Sequence, residues 1–365
     1  MLFILTALVT SSVPCTEIKT LFQDECCDAT DTHSMNLRTT AGPFFPGALY
    51  DIVKQGTLTC QTKSNLPMFA LLGADGNYTG LEIDLCKAHA VALGVGVKII
   101  SDKTWMFPLP VDGSWAHPAV GPMYPTDADI AIRQITKTDG RDTVSFYGPF
   151  GLPPVDFGPV YFYDEGGITV RGDMLPNANT ITDLNGQTIC VGDTVTYRTS
   201  LPALATANGV NVILKVVGSF EEVEEHFING TCAGYAGDRI GALMDQVKTF
   251  NASHPEMQPY IVPDIFLDQQ PIATVTREGS GEALRQVSFM VFDALIQAAR
   301  DGITQSTASS WSATSTKLAA YGASSYLIDE RKKATVAAVG NWMEILERHS
   351  QKVSKNKLVA NGGVF

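Results

Sequence analysis

The strongest constraint on this chain is an alternation of short apolar runs with helical stretches that occurs twice along its 365 residues. GTLTCQT (56–62) reads as a strand, DGNYTG (75–80) as a turn, and LEIDLCKAHAVALG (81–94) as a helix closed by its glycine. VKII (97–100) reads as the next strand, and after a Pro-, Trp- and Gly-rich insertion (104–126) ADIAI (128–132) returns to strand. Parallel strands need a crossover long enough to hold a helix, so this order predicts a parallel α/β sheet. A second series starts near residue 160, with GITV (167–170), TICV (188–191), VILKVV (212–217) and CAGYA (232–236) as short apolar runs. Between them SFEEVEEHFING (219–230) reads as a helix in which Ser219 and Glu222 make a capping box. IATVT (272–276), a long helix near 280–301 and NWMEILERH (341–349) complete the pattern. The length suits two lobes, with the passages around 155–165 and 262–272 as crossovers.

Composition narrows the function classes. A formal net charge of −12 argues against a phosphate-backbone surface, which needs clustered Lys and Arg, so no nucleic-acid partner is expected. LFILTALV (2–9) suits the apolar core of a secretory signal and is too short to span a bilayer. Residues 1–20 are therefore read as a signal segment and 21–47 as an N-terminal extension. No later stretch is apolar enough to cross a membrane, so the mature chain is expected to be soluble; the signal segment makes it extracytoplasmic, and a monomer is expected. The seven cysteines and six histidines lack metal-ligand spacing, so no metal and no cofactor is expected, and disulfides fit better. Sequons at Asn77, Asn229 and Asn251 occur at about the frequency chance would give and carry little weight.

One polar strand end stands out. AIRQITKTDGRDT (131–143) releases Arg133, Thr136, Thr138 and Arg141 just after an apolar strand. A guanidinium fork matches the two oxygens of a carboxylate, and threonine hydroxyls add neutral hydrogen bonds. On spacing alone a solvated turn explains the same residues.

Beyond these patterns, GTLTCQTKSNLPMFALLGADGNYTGLEIDLCKAHAVALG resembles the opening of the extracytoplasmic amino-acid-binding proteins of ABC importers (family 3). RQITKTDGRDT is similar to the Arg-x-x-Thr-x-Thr-x-x-Arg-Asp-Thr segment of the general L-amino-acid-binding subgroup. VYFYDEGGITV, LNGQTICVGDT, NGTCAGYAGDR, DGITQ and VGNWMEILER follow in the order of that subgroup, so the resemblance covers about residues 50–365. It implies an α/β, two-lobe periplasmic-binding-protein-like fold of type II, with the ligand in a cleft between lobes joined by two crossover strands. Lobe 1 would comprise 48–160 plus 266–365 with the C-terminal helices, and lobe 2 would comprise 161–265.

The resemblance also implies residue roles. Arg141 would hold a ligand α-carboxylate in two hydrogen bonds and Thr136 would donate its hydroxyl to it. Arg133 would reach a ligand side chain or make a structural salt bridge. Asp238 would face the ligand ammonium, a role compatible with capping the helix RIGALMDQV. The usual glycine-containing turn of lobe 2 reads GDTVT here, where Thr194 and Thr196 could still offer donors at a helix start. Leu66 and Trp105 would either pack over the ligand side chain or belong to the core. Cys60 with Cys86 and Cys190 with Cys232 would form lobe-internal disulfides, the alternative being four buried thiols. Cys15, Cys26 and Cys27 lie outside the resemblance and have no assigned pairing.

The function implied is capture of an L-amino acid by hinge closure and delivery to an ABC permease, without catalysis. The alternatives are a cyclohexadienyl-dehydratase-like lyase on the same fold and a stand-alone secreted scavenger or sensor. Beyond Asp238 the site segments offer no acid–base pair for a lyase.

Overall fold

The computed structural model describes residues 48–66, 68–101, 128–138, 155–193, 195–277, 282–311 and 329–349. The expected signal, the extension with EIKTLFQDECC, the 104–126 insertion, Cys15, Cys26 and Cys27 lie outside these residues.

The chain enters through helix α1 (Ala48–Gln55) and strand β1 (Thr57–Thr62). A small three-stranded antiparallel sheet follows, built from β2 (Asn65–Leu66), β3 (Ala70–Leu72) and β4 (Tyr78–Thr79). Helix α2 (Leu81–Leu93) ends at Gly94 in the left-handed region, as its stop glycine predicts. Only Lys87 of α2 is exposed, which explains why its residues are apolar on nearly every face rather than along one stripe. Strands β5 (Gly96–Ser101) and β6 (Ile130–Thr136) flank β1 in parallel, completing the expected β–α–β unit.

Strand β7 (Val155–Val170) then runs for 16 residues. Beyond it lie β8 (Thr188–Gly192), α3 (Tyr197–Ala207), β9 (Ile213–Val217), α4 (Phe220–Ile228) and β10 (Gly234–Asp238). A π-helical turn (Arg239–Leu243), α5 (Met244–Ser253) and the short β11 (Tyr260–Ile261) lead to β12 (Gln269–Arg277). The described residues end with α6 (Glu282–Arg300), α7 (Asp329–Val339) and α8 (Trp342–His349).

Among the described residues nine strands form one continuous sheet, in the order β5-β1-β6-β12-β7-β10-β8-β9 with β11 beside β7. Its two ends are parallel and its middle is antiparallel: β12 pairs with both β6 and β7, and the second half of β7 pairs with β10. Separate cores form on either side of that middle. One gathers α1, α2, α6, α7 and α8 around Phe69, Phe162, Phe292 and Trp342. The others gather α3 and α4 against β8 and β10, with Leu201, Val191, Phe227 and Tyr235 at their centres. These cores define two lobes, and β7 and β12 are the strands that pass between them.

The predicted capping box is half formed. Ser219 caps α4 by accepting from the Glu222 amide at 3.2 Å, whereas the Glu222 carboxylate reaches past it to the Gly218 amide at 2.8 Å. The C-terminal helix is stapled to lobe 1 through charge. Asp84 of α2 accepts from Arg348 and, at 2.7 Å, from His349.

Both expected cysteine pairs are bonded. Cys60 (β1) joins Cys86 (α2) with Cα atoms 5.9 Å apart, and Cys190 (β8) joins Cys232 with Cα atoms 5.7 Å apart. They close loops of 26 and 42 residues, which in the chain-entropy account stabilises each lobe by about 3.5–4 kcal/mol. Replacing either pair by serines is expected to lower the free energy of urea unfolding by about that amount. A loss under about 1 kcal/mol, or recovery of all four cysteines as free thiols from the unreduced protein, would contradict these bonds.

Candidate functional site

Open α/β sheets bind ligands beyond the carboxyl ends of their strands. Here the ends of β6, β8 and β10 converge on the start of β12, and the side chains they release meet there. Thr136 closes β6 and donates its hydroxyl to Gln270 Oε1 at 2.6 Å. Thr196 stands at the cap position of α3, yet its hydroxyl leaves the helix and donates to the same oxygen at 3.0 Å. Gln270 in turn donates from Nε2 to Asp268 at 2.5 Å, an orientation that turns its carbonyl toward both threonines. One carboxamide on a crossover strand thus joins a hydroxyl from each lobe.

Asp238 ends β10 at the entry to the π-helical turn and is half-buried. It makes no side-chain cap bond, so the capping weighed as its alternative role is not formed. Tyr197 supplies the reason: its phenol donates to Asp238 Oδ1 at 2.5 Å. Burial, reinforced by the Asp238 charge, holds the Tyr197 phenol well above its usual pKa, so it stays a donor. The ring reaches that position only because residue 166 is glycine. A Cβ there would lie 2.3 Å from the Tyr197 ring. Burial also pushes the Asp268 carboxyl up, opposed by the Gln270 hydrogen bond and aided by the Asp238 charge.

On the lobe 1 side Glu82, in the first turn of α2, is fully buried. Its Oε1 accepts from the Tyr161 phenol at 2.6 Å and from the Gln134 amide at 2.8 Å, while Oε2 is buried without a hydrogen-bond partner. Burial raises the Glu82 pKa to about 7 despite the Tyr161 hydrogen bond and the charges of Lys63 and Arg133. Arg133 itself is 2% exposed. Leu66 is 7% exposed and packs in the lobe 1 core. Arg141, Trp105 and Thr194 lie outside the described residues.

The structure therefore brings Thr136, Thr196 and Asp238 to one region, with Arg133 buried on the lobe 1 side. It adds Glu82, Tyr161, Tyr197, Asp268 and Gln270, which sequence reasoning did not single out. The doubled glycine in DEGGITV was the available signal for a close approach at Gly166. Nothing local marked Gln270.

The buried pair Glu82 and His89 on α2 gives the fold a testable pH response. His89 is held between the Leu85 carbonyl at 2.7 Å and Ser288 at 3.0 Å, and burial lowers its pKa to about 4. Its contribution to stability is therefore present above about pH 6.5 and is lost as pH falls toward 4. Glu82 has the opposite sign: its contribution is present below about pH 4.5 and is lost as pH rises through about 7. Between pH 5 and 6.5 the two slopes offset each other. In Glu82→Gln only the His89 slope survives, so lowering pH from 6.5 to 5 is expected to cost the variant about 2 kcal/mol more than wild type. Chemical unfolding at the two pH values measures this, and equal losses in the two proteins would refute it.

No protein-family profile matches the chain. Curated relatives do. The chain is 26% identical over 323 residues to the general L-amino-acid-binding periplasmic protein AapJ of Rhizobium johnstonii, covering 85% of this chain and 86% of that protein. It is 26% identical over 268 residues to the glutamate/glutamine/aspartate/asparagine-binding protein BztA of Rhodobacter capsulatus, covering 73% and 71% respectively. The fold is shared with a periplasmic binding protein of an ABC transporter from Brucella ovis, solved with glutathione bound. That match has a TM-score of 0.64 at 24% identity and covers 84% of this chain and 91% of that one. Ordered segments, two lobes and two crossover strands agree with these likenesses, and the chain is similar to solute-binding proteins of ABC amino-acid importers.

Proposed function

We propose that this protein is an extracytoplasmic receptor that captures an L-amino acid by closing its lobes and delivers it to an ABC permease. The observation that carries this reading is the meeting of Thr136 and Thr196, one from each lobe, at Gln270 beside Asp238. A ligand seated there touches both lobes at once. The closed state then gains contacts that the open state lacks, and that difference in affinity is what shifts a hinge equilibrium. The names of the curated relatives support the ligand class, and the periplasmic designation of AapJ supports the compartment. Among the described residues no helix is long and apolar enough to cross a membrane.

In this reading Arg141 takes the α-carboxylate and Asp238 the ammonium. Thr136, Thr194 and Thr196 supply hydroxyl or backbone bonds, and Arg133, Leu66 and Trp105 border the ligand side chain. Lobe 1 comprises 48–160 with 266–365, lobe 2 comprises 161–265, and residues 1–20 direct export. The mature chain acts as a monomer. It acts by binding and not by catalysis, although Glu82, an acid poised near neutrality, is one feature a lyase would use. Product formation from prephenate or arogenate would favour that second reading.

Calorimetric titration with the twenty L-amino acids tests the proposal. At least one is expected to bind, and Arg141→Ala is expected to cost about 2–4 kcal/mol of that affinity because the carboxylate loses its charge-assisted partner. Wild-type affinity in the variant would remove the assignment.

A further inference from the structure

Strand β6 departs from regular geometry at one point. Ala131 pairs with Val275 and Ile135 with Ala273, so residues 132–134 bulge opposite the single Thr274. Within the bulge Gln134 adopts φ 57°, the left-handed region that a residue with a side chain enters at a cost. Glycine would hold that turn without strain, and bulges beside functional sites serve to re-aim a side chain. The Gln134 backbone is well used: its amide donates to Glu82 Oε1 and, at 3.1 Å, to the Tyr161 phenol. Its side chain is not. Both Nε2 and Oε1 are buried without a hydrogen-bond partner, and Oε2 of the adjacent Glu82 is in the same condition.

Leaving an amide donor and an amide acceptor buried and unpaired is costly, and so is the strained backbone that puts them there. Two independent penalties at one residue, two positions before Thr136 at the strand end, call for a common compensation. The chemistry of that compensation follows from the atoms. A carboxylate would satisfy the Gln134 NH2 group and could meet Glu82 only in its protonated form, but would face the Gln134 carbonyl with no donor to offer it. A cation would satisfy the two oxygens and leave the NH2 group unmet. A primary carboxamide carries one acceptor and two donors, so it can pair head-to-tail with Gln134 and direct its remaining N–H toward Glu82.

We propose that Gln134, aimed by the β6 bulge and backed by Glu82, is the specificity-determining residue of the cleft and selects an amino acid with a side-chain carboxamide. This rests on the amino-acid-binding reading above and names the ligand class within it. A site built to hydrogen-bond a ligand group discriminates against analogues that lack the group, because its own polar atoms are then left unpaired.

The test compares the affinities of L-glutamine, L-asparagine, L-methionine, L-glutamate and L-arginine by calorimetry at pH 7, in wild type and in Gln134→Gly. Wild type is expected to bind a carboxamide ligand at least about tenfold more tightly than methionine, and the variant to lose about tenfold of that ratio. Glycine suits φ 57°, so the variant's unfolding midpoint should equal or exceed that of wild type. Gln134→Asn keeps a shorter amide on a residue that tolerates this backbone and should fall between the two, which provides a folded comparison if the glycine variant is unstable. A carboxamide-to-methionine ratio that is the same in wild type and variants, or a wild-type preference for glutamate or arginine, overturns the proposal while leaving amino-acid binding intact. Absence of binding by any of the twenty L-amino acids overturns both.

Discussion

The antiparallel pairing of β12 with β7 is the constraint on which the rest depends. It runs from Gln269 opposite Glu165 to Arg277 opposite Val155, and it is the backbone connection between two halves of the sheet that each have their own core. Because one edge of β12 bonds β7 and the other bonds β6, the end of β6 is fixed relative to the beginning of lobe 2. Gln270 lies in this pairing, opposite Asp164, and so can reach the strand end of one lobe and the helix start of the other. The polar meeting point follows from sheet topology before any side chain is considered.

Much of this architecture was legible in the chain. The strand–turn–helix–strand order of residues 56–100 and the stop at Gly94 follow from local pattern, because α2 is short, apolar and closed by a left-handed residue. The ordered segments that resemble the amino-acid-binding family implied a two-lobe fold and the two cysteine pairs. Strand β7 was harder. The passage around 155–165 read only as a crossover and GITV as a separate strand, since Asp164, Glu165 and Gly166 interrupt the apolar pattern between them. Those residues sit where the strand leaves one core and enters the other: Asp164 is fully buried and accepts from the Glu165 and Ile240 amides. A strand whose middle serves a junction between two cores does not carry the period of a strand that lines one core.

The site was legible in proportion to how local its logic is. Thr136 and Asp238 belong to recognisable segments and were identified from them. Glu82 lies in the first turn of α2, where an acid suits a helix N-terminus, and nothing nearby signals that Tyr161 and Gln134 enclose it. Tyr197 and Gln270 acquire their roles from residues 41 and 74 or more positions away, Asp238 for the tyrosine and the two threonines for the glutamine. Such contacts are products of the tertiary fold, and neither composition nor periodicity encodes them.

The two lobes differ in how they use the chain. The cores around α3 and α4 draw on one uninterrupted stretch from Ile168 to Leu267. The other core needs α1 and α2 from the beginning together with α6, α7 and α8 from the end, and Asp84 meets Arg348 and His349 across more than 260 residues of sequence. During synthesis the continuous lobe can therefore complete its contacts while the discontinuous one still waits for its C-terminal helices. Closing that long loop comes last, so α1 and α2, although made before the other lobe, are among the last described elements to reach their final partners.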